Sequence, residues 1–253
     1  MSGGPAVPPE PAAPGELTVR GELTMPGELM VPAELVERAR SLAVRARADD
    51  RRAVLGIAGA PGSGKSTLAA GLVAALAAEP PEGSDATWVR QVPMDGFHLA
   101  DVELDRLGLR GRKGAPETFD VAGYVALLER LHADGSAGAG HGSAVVYAPA
   151  FDRVIEQPVA GAIPIGAATR LVVTEGNYLL LDAPGWRDVR ALLDEVWFCS
   201  GDEDVRRERL VARHVEFGKS PDAARAWVER SDEANARVVA RTRGSADLVV
   251  AVG

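Results

Sequence analysis

Gly59-Ala60-Pro61-Gly62-Ser63-Gly64-Lys65-Ser66 follows directly on the apolar run Ala53-Val54-Leu55-Gly56-Ile57-Ala58. Its spacing, two glycines bracketing four residues and then Lys-Ser, is that of a loop that wraps phosphate groups. Glycines let successive backbone N–H groups turn inward, Lys65 reaches the outer phosphates, and the Ser66 hydroxyl suits Mg²⁺. The strand-like run before the loop and the helical pattern from Thr67 to Ala78 after it add the positive end of a helix. A nucleoside triphosphate is the expected ligand, with Gly59, Ala60, Pro61, Gly62, Ser63, Gly64, Lys65, Ser66 and Thr67 around its phosphates. A glycine turn that binds nothing is the alternative.

The chain has 253 residues, 46% of them hydrophobic, enough for a substantial core in one large α/β domain with a tail. A net charge of −8 disfavours a nucleic-acid surface, and no apolar stretch approaches a membrane span. A cytoplasmic protein with neither a nucleic-acid nor a membrane partner is expected. Cys199 is the single cysteine, in the strand-like Glu195-Val196-Trp197-Phe198-Cys199, and reads as a buried structural thiol. Of 28 basic residues only Lys65, Lys113 and Lys219 are lysines. Lys65 has a chemical reason to be one, because a compact ammonium suits a phosphate in a tight loop.

Residues 1–32 are rich in Pro, Gly and Glu and carry a six-residue repeat at Glu16-Leu17, Glu22-Leu23, Glu28-Leu29 and Glu34-Leu35. Such a short period cannot pack a core, so a disordered tail is expected there and a domain over 33–253. Ala33 to Arg47 has helical spacing, as do Val121 to Leu131, Asp202 to Phe217 and Pro221 to Arg241. Strand candidates besides the first run are Thr87 to Pro93, Ala144 to Tyr147, Leu171 to Thr174, Glu195 to Cys199 and Leu248 to Val252. The alternation implies an α/β fold with a parallel sheet covered on both faces, and Ala133 to Ser143 reads as a surface loop.

Ligands of such sheets gather at the carboxyl ends of the strands. There Asp95, in Met94-Asp95-Gly96-Phe97-His98, is placed to accept a hydroxyl proton or to hold Mg²⁺, or else is a turn residue before Gly96. Glu175 ends the run Leu171-Val172-Val173-Thr174 like a Walker B carboxylate near Mg²⁺. Asp182-Ala183-Pro184-Gly185 lies beyond a strand end, and the chain has no Asn-Lys-x-Asp, so a GTPase is disfavoured. Arg206, Arg209 and Arg213 share one helical face, which reads either as a cationic lid or as a solvated face paired with Glu203, Asp204 and Glu208.

Together these motifs resemble the P-loop kinases that include uridine kinase, phosphoribulokinase and type I pantothenate kinase, from about Glu34 to Val252. Arg112-Lys113-Gly114-Ala115-Pro116-Glu117-Thr118-Phe119-Asp120 is similar to a pantothenate kinase block, and Tyr147-Ala148-Pro149-Ala150-Phe151-Asp152-Arg153 to the family's substrate wall. The resemblance implies a three-layer sandwich around about five parallel strands with an Arg-rich helical lid. It implies ATP and Mg²⁺ as cofactors and a small hydroxyl-bearing substrate. Lys65, Asp95, Arg209 and Arg213 are then catalytic, Ser66 and Glu175 serve the metal, and Asp95, Phe97, His98, Lys113, Tyr147, Asp152 and Arg153 meet the acceptor. The adenine side falls to the region from Asn235 to Arg243.

The wall segment lacks the His-rich pattern of pantothenate kinases, and Gly96 stands where uridine kinases carry a second Asp. The acceptor is therefore left open among pantothenate-, nucleoside- and sugar-like alcohols. A homodimer is compatible with this reading, although no motif encodes the oligomeric state. A catalytically inactive ATP-binding regulatory module is the alternative to a kinase.

Overall fold

The computed structural model describes residues 15–19, 30–49, 51–133 and 145–252. In chain order the elements are β1 (Gly15–Val19), α1 (Ala33–Ala48), β2 (Ala53–Gly59), α2 (Lys65–Ala78), β3 (Val89–Pro93), α3 (Asp101–Leu107), α4 (Val121–Ala133), β4 (Val146–Asp152) and β5 (Gln157–Ile165). They continue with β6 (Leu171–Gly176), α5 (Trp186–Ala191), β7 (Glu195–Ser200), α6 (Glu203–Glu216), α7 (Pro221–Trp227), α8 (Glu233–Ala240) and β8 (Leu248–Val252).

One parallel sheet runs in the order β1-β8-β7-β2-β6-β3. Its strands read as nearly continuous apolar runs because both faces are covered, yet the two-residue period still sorts the side chains. Val54 and Ala58 of β2 face a core shared with Tyr124, Leu128 and Trp186. Ala53, Leu55 and Ile57 face the other core, with Leu35 and Leu42 of α1 and Leu68 and Leu72 of α2. This is the expected three-layer arrangement. β2 is central, and both its neighbours, β6 and β7, come later in the chain. The crevice at its carboxyl end is where the phosphate loop emerges.

Three expectations differ from the fold. Gly15–Val19, within the segment expected to be a structureless tail, pair in parallel with Leu248–Val252 and add a sixth strand to the expected five. The polar–apolar alternation Glu16-Leu17-Thr18-Val19 suits an edge strand, a signal outweighed in the sequence by the surrounding Pro and Gly. The strand expected from Ala144 to Tyr147 is β4, which runs to Asp152 and joins β5 in a separate antiparallel hairpin rather than the main sheet. The helix expected from Pro221 to Arg241 is interrupted by a turn of π-helix at Val228–Asp232, which divides α7 from α8. The other residues of 1–32, apart from 30–32, and residues 134–144, where a surface loop was expected, lie outside the described residues. No helix among the described residues is long and apolar enough to cross a membrane.

Candidate active site

The phosphate loop closes around Gly62, whose φ of +79° is left-handed. A Cβ there would also sit 2.8 Å from the Arg206 carbonyl oxygen and 2.8 Å from Leu210 Cγ, so a side chain is excluded twice over. Arg206 of α6 supports the loop from behind. Its guanidinium donates to the Pro61 carbonyl at 3.2 Å and pairs with Glu203 and Glu233 while only 3% exposed. Ser63 Oγ is buried without a partner, a cost that a phosphate oxygen would offset.

Lys65 opens α2 and is buried, with its Nζ 3.9 Å from Glu175 Oε2. Glu175 lies in β6, in register with Pro93 of β3, so Glu175 and Asp95 come to the same end of adjacent strands. Burial pushes the Glu175 carboxyl above its usual range and the Asp95 charge adds to this, against Lys65 and a hydrogen bond from Ser66. A buried carboxylate that is costly to ionise alone is stabilised by a bound cation.

Asp95 follows Pro93 in a short helical turn and pairs with Arg153 at 3.2 Å. Burial would raise its pKa, but the positive charge of His98 when protonated, Lys65, Arg153 and Arg213 outweighs that and holds it below the usual range. The His98 ring lies between Phe119 at 4.1 Å and Phe151 at 4.8 Å, with Nδ1 2.8 Å from the Asp95 carbonyl oxygen. Burial keeps its pKa below the ordinary value, so the ring is neutral near pH 7. Lys113 donates to Asp101 at 2.7 Å and to the Glu156 carbonyl, with its ammonium 5.4 Å from the Phe151 ring centroid.

Asp95, His98, Lys113, Arg153 and Arg213 line one cavity of about 380 Å³, together with Pro61, Phe151 and Asn177. Arg213 projects from α6, and burial with the nearby Arg153 charge pulls its pKa below the ordinary guanidinium value. Asn177 Oδ1 is buried with no partner. Asn235 also lines this cavity and donates to the Gly114 carbonyl at 3.2 Å, which puts it beside Lys113 on the Asp95 side.

The remaining residues read from the sequence fall elsewhere. Phe97 is a core residue, packed 4.8 Å from the Tyr124 ring, because the turn after Asp95 points it inward. Tyr147 is 57% exposed on β4, outside the cavity wall, since its place in the hairpin register faces solvent. Asp152 accepts from the backbone of Val154 and Ile155 and so shapes the hairpin turn. Arg209 is exposed on α6 and is not part of the cavity wall. Sequence reasoning did not place Asn177 in the cavity wall, although it follows Glu175 at a strand end, nor Lys219, Trp227 and Asp232, which reach the wall from α7 and its flanks, outside any motif.

No family model matches the chain. A Schizosaccharomyces pombe protein provisionally named a uridine kinase is 34% identical over 82% of this chain and 86% of its own length. YggC of Escherichia coli K12, an uncharacterized protein, is 35% identical over 79% of this chain and 78% of its own. Among solved structures, a protein of Silicibacter sp. TM1040, provisionally described as a fructose transport system kinase, is 39% identical with a TM-score of 0.66. That match covers 82% of this chain and 98% of the other. YFH7 of Saccharomyces cerevisiae, at 20% identity and a TM-score of 0.70 over 87% and 98% of the two chains, shares the fold.

Proposed function

Because the chain belongs to the P-loop kinases of the uridine kinase and phosphoribulokinase type, we propose that it transfers the γ-phosphoryl group of ATP to a hydroxyl of a small metabolite. The observation that carries this reading is the placement of Asp95 and Glu175 at the ends of neighbouring strands, with Lys65 beside Glu175 and a cavity opening past Asp95.

The loop amides and Lys65 bind the phosphates, and Ser63 Oγ gains an acceptor. Mg²⁺ fits the residues present. Such an ion keeps several waters and takes phosphate oxygens plus one or two protein ligands, a need that the Ser66 hydroxyl and the buried Glu175 carboxylate meet. Ser66 and Glu175 would hold it, and when bound it offsets charge on the phosphates.

Asp95, ionised at neutral pH, accepts a hydrogen bond from the acceptor hydroxyl and fixes its lone pair toward the γ-phosphorus. Its low pKa makes it an orienting group first, taking the proton late as the new P–O bond forms. Arg213, charged and half-buried across the cavity, offsets negative charge on the transferring group. The polar cavity, of small-metabolite size, sets the acceptor class.

The test is ADP release from Mg·ATP with pantothenate, uridine, cytidine, fructose and ribulose 5-phosphate added singly, followed by metabolite extracts. Acceptor-dependent ADP in wild type that vanishes in Lys65→Ala supports the proposal. ATP binding with no acceptor-dependent ADP from the panel or the extracts would favour a non-catalytic switch.

A further inference from the structure

All three lysines of the chain converge on this site. Lys65 lies in the phosphate loop, and Lys113 and Lys219 line the cavity beside Asp95. Two of them face carboxylates, Lys65 with Glu175 at 3.9 Å and Lys113 with Asp101 at 2.7 Å. Lys219 differs: among the described residues no carboxylate lies within ion-pair distance of it.

Lys219 is nonetheless held in place. It is half-buried between α6 and α7, with its ammonium 5.2 Å from the Trp227 ring centroid. Trp227 is backed by His214 at 6.3 Å, and His214 Nε2 lies 2.9 Å from Asp232 Oδ2. A lysine fixed on an aromatic face, partly desolvated and without a counter-ion, is a cation kept for a ligand.

Lys219 lies on the acceptor side of the phosphate loop. The cavity wall includes Pro61 at the loop's edge but neither Lys65 nor Ser66, and it extends past Asp95 to His98, Lys113 and Phe151. Three of the four acidic groups in the wall are already engaged: Asp95 with Arg153, Asp101 with Lys113 and Arg110, Asp232 with His214. The fourth, Glu156, is exposed and forms no ion pair with Lys219 among the described residues. Arg213 is committed to the transferring phosphoryl group. Lys219 is left facing the acceptor.

We infer that Lys219, presented by Trp227, binds an anionic group of the acceptor, so that the alcohol being phosphorylated itself carries a carboxylate or a phosphate ester. The inference rests on the kinase reading above and narrows its substrate class.

The experiment uses tryptophan emission of the full chain. Trp88, Trp186 and Trp197 are buried, so anion binding beside Lys219 is read at Trp227. Inorganic phosphate and acetate are titrated separately into wild type, Lys219→Met, Lys219→Arg and Lys65→Ala, with Trp227→Phe marking the signal. Saturable binding of one anion is expected in wild type, Lys219→Arg and Lys65→Ala. It should weaken about 10- to 100-fold in Lys219→Met. Phosphate or acetate as the tighter ligand tells ester from carboxylate.

With the acceptor identified by ADP release, Lys219→Met should raise the acceptor KM by the same factor while kcat and the KM for ATP stay nearly unchanged. Absence of an anion-dependent signal in wild type, equal binding by Lys219→Met, or a neutral acceptor with a Lys219-independent KM overturns the inference. Failure of the kinase reading is seen separately, as the absence of Lys65-dependent ADP formation.

Discussion

Gly96 packs directly against Pro149: a Cβ at residue 96 would lie 2.7 Å from the Pro149 carbonyl carbon and 3.2 Å from the Ala150 nitrogen. The residue after Asp95 thus has no room for a side chain, because the backbone of β4 occupies the space. This contact seats the hairpin that carries Phe151 and Arg153 to the cavity.

Gly96→Asp, which would introduce the second Asp of uridine kinases, should push the hairpin away. Overpacking of this kind costs about 1–3 kcal/mol. The expected result is a lower melting temperature and a raised acceptor KM with little change in the KM for ATP. A variant with wild-type melting temperature and acceptor KM would show that the hairpin is not seated on Gly96.

Arg206→Met should destabilise the fold and weaken nucleotide binding together. The guanidinium joins the phosphate loop to Glu203 and Glu233, and its removal leaves Glu233 to the more exposed Arg207 at 3.3 Å. Because Arg207 still pairs with Glu233, the cost lies below that of a fully buried broken pair, at about 1–3 kcal/mol. Urea unfolding checks the stability, and calorimetric titration with Mg·ATP the affinity. A stability within about 0.5 kcal/mol of wild type would assign Arg206 no such role.

The phosphate loop was legible because its pattern is local: eight consecutive residues dictate the turn and carry the groups that would meet a phosphate. Asp95 and Glu175 were legible because a parallel sheet delivers its strand ends to one edge. Phe97 and Tyr147 were not, since neighbours along a chain take opposite sides and only the packing of the turn and the hairpin register decides which faces the cavity. Arg206 and Arg213 sit seven residues apart on one helix, yet one buttresses the loop and the other lines the cavity. That division depends on where α6 crosses the sheet, which no local pattern records.

His98 should make the protein less stable in mild acid. Burial holds its pKa below the ordinary value, opposed by Asp95 and reinforced by Lys113 and Arg153. As pH falls below about 6.5 the unfolded chain binds a proton that the folded chain refuses, so stability drops. The loss continues until the folded pKa is reached, at up to about 1.4 kcal/mol per pH unit. Unfolding free energies at two pH values, one near neutral and one in mild acid, should differ less in His98→Gln than in wild type. Equal differences would remove His98 as the source.

Cys199 should be inert in the native protein. It is 1% exposed in β7, and burial pushes its thiol up to about 12. A disulfide reagent added at mildly alkaline pH should label it only after denaturant is present. Rapid stoichiometric labelling of the folded chain would contradict the packing of β7.

The central claim is γ-phosphoryl transfer to a hydroxyl oriented by Asp95. It is tested most directly by incubating wild type and Asp95→Asn with a metabolite extract and ATP labelled with ¹⁸O in the γ-phosphoryl group, and reading the small molecules by mass spectrometry. The account predicts one metabolite that gains a labelled phosphoryl group in wild type. With Asp95→Asn the same product should form slower by orders of magnitude while ATP still binds. Label found solely in inorganic phosphate, or an equal yield from the variant, would contradict it.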